Sequence, residues 1–265
     1  MLDKFFLEDY IKRNGIPNVP RRVLTEYLQS EILAVVFNSK FGPHLSFLGG
    51  TCLRFIHKIE RFSEDLDLDF DLIRDGLDYE ALAEFIGKKL GELGFPTDTT
   101  VKKTENIIIV NVKFSKVMRE MGLNAQDDQK LKIKFEIDPT PYKNICYEPK
   151  QIFAYGKSFN IISNTLETLF AQKILAIVFR PYQKGRDFYD LVWFLSQKNI
   201  EPNYEIFKEK GIAINNREEL IEFLKKQSEK ADLKQAAKDV ERFLFYPEQA
   251  QWILKLPEYL ESFKK

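Results

Sequence analysis

Four aspartates alternate with apolar residues in segment 65–72, which reads Asp-Leu-Asp-Leu-Asp-Phe-Asp-Leu. Strict alternation predicts a β-strand with one acidic face that carries Asp65, Asp67, Asp69 and Asp71. Neighbouring carboxylates on that face would lie about 6.6–7 Å apart and repel one another. A divalent cation between two of them would remove most of this repulsion, and hard oxygen ligands suit Mg²⁺ or Mn²⁺, which also bridge to substrate phosphates. The alternative is a solvated acidic face without a metal.

The charge distribution singles out the same region. The 265-residue chain holds 40 basic and 40 acidic residues, so its formal net charge is zero. Residues 60–80 include nine acidic and two basic side chains, a net charge of −7, and the rest of the chain therefore carries +7. This balance argues against a polybasic nucleic-acid binder but leaves room for a local basic groove.

A glycine turn precedes the acidic segment. Gly49, Gly50 and Thr51 follow a short apolar run and open a segment that favours helix to about residue 58. A strand, a glycine turn and a helix start can direct backbone N–H groups at a phosphate, although any tight turn would use the same glycines. Ser63 could donate to a phosphate oxygen, or it could be an ordinary turn serine.

A third carboxylate could come from segment 131–138, which alternates in the same way. Glu136 and Asp138 share its polar face, so either could complete a three-carboxylate site if this strand pairs beside the acidic one. The alternative is an ordinary half-exposed strand.

A second group of charged residues lies further along the chain. Lys173 interrupts an otherwise apolar helical segment, where a lysine either extends to the helix edge or points into a site. A basic loop with Arg186 follows, and the next helix is predicted to begin near Asp187, which could be its N-cap, with Asp190 on the same helical face. The functional interpretation is that Lys173 and the arginine bind a triphosphate while a carboxylate orients them.

The elements needed to position these residues divide the chain in two. We expect a mixed α/β domain over residues 1–162 and a helical domain over residues 163–265. The predicted strands are 65–72, 106–114, 131–138 and one or two within 150–162, with a loop over 119–130. The predicted helices are 21–38, 51–58, 78–93, 166–179, 187–198, 217–229, 232–245 and 248–262, the last broken at Pro257.

Other function classes are disfavoured by composition. Two cysteines, Cys52 and Cys146, exclude a disulfide framework and a cysteine-rich zinc site, and we expect both to be buried thiols. His44 and His57 stand in no nucleophile motif, which argues against a Ser-His-Asp or Cys-His hydrolase. No secretory signal is recognisable, and no apolar run approaches the ~20 residues that span a bilayer, so we expect a cytoplasmic protein without a membrane partner.

Taken in order, these motifs resemble the AbiEii/AbiGii-type nucleotidyltransferase toxins, a family that includes the MenT-like tRNA-modifying toxins. The segments that carry the resemblance are 47–54, 61–68, 133–138 and 166–191. Many nucleotidyltransferases have Gly-Ser in the first motif, where this chain has Gly50-Thr51, which keeps the hydroxyl. The resemblance implies an α+β fold, with a mixed-sheet, DNA-polymerase-β-like nucleotidyltransferase domain followed by a C-terminal helical domain.

The resemblance also implies roles for individual residues. Asp65 and Asp67 would hold Mg²⁺ (or Mn²⁺), with Glu136 or Asp138 as the third carboxylate. The helical domain would contribute the catalytic Lys173 and Asp187, with Asp190 as the competing assignment for the aspartate. The nucleotide-binding residues would be Gly49, Gly50, Thr51, Arg54, Ser63, Lys173 and Arg186.

The activity implied is transfer of nucleotides from an NTP to an RNA acceptor, with the tRNA 3′ end as the expected target and a block of translation as the result. A cognate antitoxin protein would be the partner. Two alternatives remain open from the residues. Asp67-Leu-Asp69 is also the DxD pattern of nucleotide-sugar-dependent transferases, and the chain could be a non-catalytic interaction protein on the same fold.

Overall fold

A computed structural model describes residues 4–70, 76–123 and 129–263. The chain forms two compact units. The first comprises Met1–Lys58, Phe62–Pro141 and Glu148–Ser163, and the second comprises Ile59–Arg61, Tyr142–Tyr147 and Asn164–Lys265. The sequence pattern contained no sign that the two short segments 59–61 and 142–147 belong with the helices of the second unit.

A seven-stranded mixed sheet forms the centre of the first unit, in the order β3-β4-β5-β2-β1-β7-β6. Strand β2 is central, antiparallel to β1 and parallel to β5. The strands are β1 (Leu45–Leu48), β2 (Leu66–Phe70), β3 (Thr97–Lys103), β4 (Ile108–Phe114), β5 (Leu131–Asp138), β6 (Tyr147–Ala154) and β7 (Lys157–Asn164). This sheet confirms the predicted α+β class.

Alternation of apolar residues explains why β4 and β5 were predictable. In β5, Leu131, Ile133, Phe135 and Ile137 are all buried, whereas the residues between them are not. Strand β3 was missed because its sequence, Thr-Asp-Thr-Thr-Val-Lys-Lys, carries almost no apolar side chain. Its β-branched residues nevertheless suit a strand, and it pairs antiparallel with β4 along its whole length.

Helices pack on this sheet and in the second unit. The first unit contains α1 (Lys4–Arg13), α2 (Pro20–Phe37), a 3₁₀ turn (Gly42–His44), α3 (Gly49–Phe55), α4 (Tyr79–Glu92) and α5 (Val117–Glu120). The second contains α6 (Leu166–Phe179), α7 (Gly185–Ser196), α8 (Tyr204–Glu209), α9 (Arg217–Lys230), α10 (Leu233–Glu241), a 3₁₀ turn (Pro247–Ala250), α11 (Gln251–Leu254) and α12 (Leu256–Ser262). None of the helices in the described ranges is long and apolar enough to cross a membrane.

The structure corrects several predicted boundaries. The helix predicted over 248–262 is interrupted at Lys255, and Pro257 lies in the first turn of α12, where its missing N–H costs nothing. The predicted loop 119–130 overlaps the end of α5, and residues 124–128 lie outside the described residues. Both cysteines are free thiols, but Cys146 is exposed, so the expectation that both are buried was wrong.

Candidate active site

Strand pairing places the acidic residues of the first unit. In the parallel register of β2 and β5, Asp67 lies opposite Glu136 and Asp69 lies opposite Asp138. Paired strands run about 4.7–4.9 Å apart, so Glu136 is the lateral neighbour of Asp67. The Asp138 carboxylate accepts a hydrogen bond of 2.8 Å from the backbone N–H of Thr140, which commits it to the turn after β5. The register therefore favours Glu136 over Asp138 beside the aspartate pair.

The predicted four-aspartate face is shorter than expected. Asp65 lies immediately before the first residue of β2, and Asp71 lies outside the described residues. Asp69 is 2% exposed, so it faces the interior and not solvent. Asp65 and Asp67 remain as the accessible members of the motif.

Gly49 and Asp67 lie in close contact. Gly49 has a positive φ of 76°, which L side chains rarely adopt. A Cβ atom at this position would lie 2.1 Å from Oδ2 of Asp67, so no other residue leaves room for the carboxylate. The glycine turn after β1 thus fixes the position of Asp67.

The segment that leads into Asp65 is held on two sides. Thr51 is fully buried, and its hydroxyl donates a hydrogen bond of 2.5 Å to the backbone carbonyl of Asp65. The Gln29 amide donates to the carbonyls of Ser63 and Glu64, at 3.3 and 2.9 Å. Thr51 therefore positions Asp65, while the phosphate contacts expected of Gly50, Thr51 and Ser63 stay predictions.

A lysine ammonium lies among these carboxylates. Lys134 Nζ is 3.3 Å from Oε1 of Glu136 and 4.0 Å from Oδ1 of Asp65. The charge on Asp65, with a smaller contribution from Glu136, raises the pKa of Lys134 despite partial burial. The cluster thus attracts a cation.

These donors fit a magnesium ion that is held in part by substrate. Within the described ranges, no three His, Cys, Asp or Glu side chains form a ready-made metal cluster. Mg²⁺ commonly takes only one or two protein carboxylates and completes its octahedron with water and phosphate oxygens. The hard oxygens of Asp65, Asp67 and Glu136 match that requirement.

Arg54 has a structural role in the first unit. Its guanidinium donates to both carboxylate oxygens of the buried Glu26, at 3.0 and 3.2 Å. The same carboxylate accepts a hydrogen bond of 3.0 Å from the hydroxyl of Tyr155. Binding of a nucleotide by Arg54 stays a prediction, and it would have to compete with this pair.

In the second unit, Lys173 points inward. Its Nζ lies 3.0 Å from Oδ1 of Asp187 and 2.8 Å from Oδ2 of Asp190, and 14% of its side chain is exposed. Burial lowers the pKa of Lys173, but Asp190 and Asp187 outweigh that effect, so the net shift is upward. Lys173 is therefore protonated at neutral pH, and both candidate aspartates contact it.

The sequence analysis missed the partner of Asp190. Arg61 is buried, and its Nε and Nη2 each donate a hydrogen bond of 2.6 Å to one oxygen of the Asp190 carboxylate. Burial raises the pKa of Asp190, but Arg61 and Lys173 outweigh it and bring the pKa below its ordinary value. The available signal was an arginine that begins an otherwise acidic motif, since a buried arginine requires an anionic partner.

Asp187 is not the helix N-cap that was predicted. Helix α7 begins two residues earlier, at Gly185, whose N–H donates to the carboxylate of Asp239 at 2.9 Å. A Cβ at Gly185 would lie 2.0 Å from the carbonyl oxygen of Ala236, so glycine allows α7 to approach α10. The Asp187 carboxylate is thus available to bind Lys173 and Arg180.

Arg186 lies at the start of α7 on the side of α10. Its guanidinium stacks over the ring of Phe243, 4.2 Å from the ring centroid. This contact orients the arginine, and the nucleotide-binding role expected of it stays a prediction.

The fold defines the class of protein. The crystal structure of JHP933 from Helicobacter pylori aligns over 92% of this chain and 91% of that chain, with a TM-score of 0.55 at 16% identity. A second H. pylori protein, described as a candidate nucleotidyltransferase, aligns over 93% and 99% with a TM-score of 0.55 at 17% identity. At these identities the similarity establishes a shared fold, that of proteins described as nucleotidyltransferases.

The family follows from the sequence itself. A family model described as "Nucleotidyl transferase AbiEii toxin, Type IV TA system" matches residues 31–257, which is most of the chain. This chain therefore belongs to the AbiEii nucleotidyltransferase toxin family. No curated protein matches it.

Proposed function

We propose that this protein transfers one or more nucleotides from an NTP to an RNA acceptor in a Mg²⁺-dependent reaction. The tRNA 3′ end is the proposed acceptor, and its modification would prevent aminoacylation and block translation. The observation that carries this proposal is the Asp67 carboxylate, fixed against Gly49 and paired in register with Glu136. Family membership supplies the reaction class.

Asp65, Asp67 and Glu136 are the proposed metal ligands, with Mn²⁺ as a possible substitute for Mg²⁺. The bound metal would lower the pKa of the attacking hydroxyl and neutralise charge on the departing pyrophosphate. Gly49 and Thr51 contribute by holding Asp67 and the Asp65 backbone in place. Positioning and charge stabilisation are the main catalytic contributions expected in phosphoryl transfer.

Lys173 is the proposed ligand of the NTP triphosphate. It belongs to a network in which Arg61, Lys173 and Arg180 surround Asp187 and Asp190, three cations against two anions. The excess positive charge would favour a polyphosphate. Asp187 and Asp190 hold the ammonium from two sides, so both carboxylates would orient it.

A protein antitoxin is the proposed partner, because the family consists of toxins from type IV toxin–antitoxin systems. The cytoplasm is the proposed location, since NTPs and tRNA are found there. Loss of growth on expression of the protein alone, with recovery on co-expression of the antitoxin, is the outcome expected in cells.

A nucleotide-sugar transferase is disfavoured by one specific observation. Its DxD motif would need both Asp67 and Asp69, yet Asp69 is 2% exposed. A non-catalytic role is disfavoured by the buried lysine network, because an interaction protein has no need of an ammonium held between two carboxylates.

The test is nucleotide transfer by the wild-type protein. The protein would be incubated with total tRNA, Mg²⁺ and each of the four labelled NTPs in turn, with an EDTA arm and a labelled nucleotide-sugar arm. We expect label in an RNA band with at least one NTP and none with EDTA. Label transferred from the sugar donor alone, or from no donor at all, would contradict the proposal.

A further inference from the structure

We propose that an exposed aromatic and basic surface on the helical unit binds the single-stranded end of the RNA acceptor. This inference rests on the proposed function and adds the surface that holds its acceptor. The surface consists of Tyr142, Phe179, Tyr182, Lys184 and Lys210, and we call it the aromatic–basic surface.

The aromatic part of this surface is unusually open to solvent. The side chain of Phe179, the last residue of α6, is 55% exposed, and that of Tyr182, in the α6–α7 connection, is 61% exposed. Exposed rings of this size have an apolar face that gains from being covered. Unpaired nucleobases stack on such rings, and stacking accepts any base because every base has a π-face.

Lysines accompany the rings. Lys184 Nζ lies 5.6 Å from the ring centroid of Tyr182. Lys210 Nζ lies 5.2 Å from the centroid of Tyr142 and 6.0 Å from that of Phe179. Whereas Arg180 is bound to Asp187, these two lysines lie over aromatic rings, where they could contact phosphates while bases stack.

The local sequence has the charge that suits RNA. Residues 179–186 read Phe-Arg-Pro-Tyr-Gln-Lys-Gly-Arg and include three basic residues but no acidic ones. The whole chain has zero net charge, so this segment is a local concentration of positive charge. Alternation of rings with cations matches a chain of bases and phosphates better than it matches the apolar patch expected for a protein partner.

The position of the surface relates it to the proposed chemistry. Phe179 and Lys173 lie on the same helix, six residues apart, which is a rise of about 9 Å along its axis. The α6–α7 connection also leads directly into the helix that carries Asp187 and Asp190. An RNA end stacked on Phe179 and Tyr182 would therefore terminate near the lysine network.

Direct binding tests this inference independently of catalysis. Fluorescence anisotropy would be measured with a labelled hairpin RNA that has a four-nucleotide 3′ overhang, and with the same hairpin without the overhang. The variants are Phe179→Ala/Tyr182→Ala and the ring-preserving Phe179→Tyr/Tyr182→Phe, with Tyr246→Ala as the control for loss of an exposed tyrosine on the same unit.

We expect the alanine pair to weaken binding of the overhang RNA at least about fivefold. The ring-preserving pair and the Tyr246 control should bind like wild type, and the blunt hairpin should bind weakly to all of them. Equal affinity of wild type and the alanine pair for the overhang RNA would overturn the inference, even if the wild type transfers nucleotides. Wild-type RNA binding combined with loss of neutralisation by the antitoxin would assign the surface to a protein partner and would also overturn it.

Salt dependence gives a second readout. The logarithm of the binding constant should fall less steeply with the logarithm of salt concentration in Lys184→Gln/Lys210→Gln, by about 0.7 per lost phosphate contact on a single strand. Lys230→Gln, at the end of α9, is the matched control and should keep the wild-type slope. An unchanged slope in the double variant would exclude phosphate contacts by these lysines.

Discussion

Arg61 and Asp190 form a two-pronged ion pair in which both hydrogen bonds are 2.6 Å long and both side chains are excluded from solvent. Asp190 also binds Lys173, so one carboxylate supports two cations. A pair buried to this extent requires both partners, because an isolated charge in the interior is strongly unfavourable. The arginine therefore stabilises the carboxylate that holds the proposed catalytic lysine.

Removal of this carboxylate should be costly. Asp190→Ala leaves Arg61 buried without an anion, so we expect the free energy of unfolding to fall by about 3–5 kcal/mol. Urea denaturation followed by circular dichroism measures this change. Glu222→Gln, which removes an exposed helical pair with Lys226, is the control and should cost no more than about 0.5 kcal/mol. A loss below about 1 kcal/mol in the Asp190 variant would contradict the assigned role.

The same pair predicts a pH dependence of stability. The pKa of Asp190 in the folded protein is below its ordinary value of 3.8, so its contribution is complete above that value and is lost as the pH falls through the folded pKa. The pKa of Lys173 is raised, so its contribution persists below 10.5 and is lost only as the pH rises through a higher value. The difference in Tm between wild type and Asp190→Asn should stay level from pH 5 to about 9 and shrink below about pH 4. A difference that changes through the neutral range would count against this assignment.

Gly49 gives a prediction that separates activity from stability. In Gly49→Ala the new methyl group meets the Asp67 carboxylate and the residue keeps a positive φ, which costs roughly 1–2 kcal/mol. Displacement of the carboxylate should lower the transfer rate about 100-fold. Gly91→Ala, in α4, is the matched control, because nothing lies within 4 Å of its added Cβ. Rapid-quench transfer assays and thermal melts would be run on both variants, and a Gly49 variant of wild-type rate would refute the proposed contact.

Lys134 should compete with the proposed metal. Its ammonium lies near Asp65 and Glu136, so Lys134→Met should tighten Mn²⁺ binding, as measured by isothermal titration calorimetry. Because these pairs are partly exposed and screened, we expect only a two- to fivefold change, about 0.4–1 kcal/mol. Lys132→Met changes the next residue on the same face of β5 and should leave the affinity unaltered. Weaker binding in the Lys134 variant would mean that the lysine assists the metal site.

The sequence was most informative where a pattern is local. Alternation predicted β4 and β5, and the order of the motifs predicted the family and the α+β fold. Strand β3 escaped because its polar residues are supported by pairing with β4 and not by a buried face of their own. The start of α7 was misplaced because Asp239, which holds its first N–H, is distant in sequence.

Long-range relationships accounted for the remainder of the candidate site. Arg61 and Asp190 are separated by 129 positions, and no local spacing rule connects them. The choice of Glu136 as the neighbour of Asp67 depends on the register of two strands, which alternation alone does not define. Burial of Asp69 is likewise set by the strands on either side of β2, so an acidic face read from alternation was too long.

The central claim is that Asp67 is required for nucleotide transfer to RNA. The most direct test is a comparison of wild type with Asp67→Asn under single-turnover conditions, with labelled NTP, total tRNA and saturating Mg²⁺. Asp98→Asn, an exposed aspartate on β3, is the control. We predict labelled tRNA from wild type and the control, and a rate at least about 100-fold lower from Asp67→Asn. Transfer by Asp67→Asn at the wild-type rate would contradict the account.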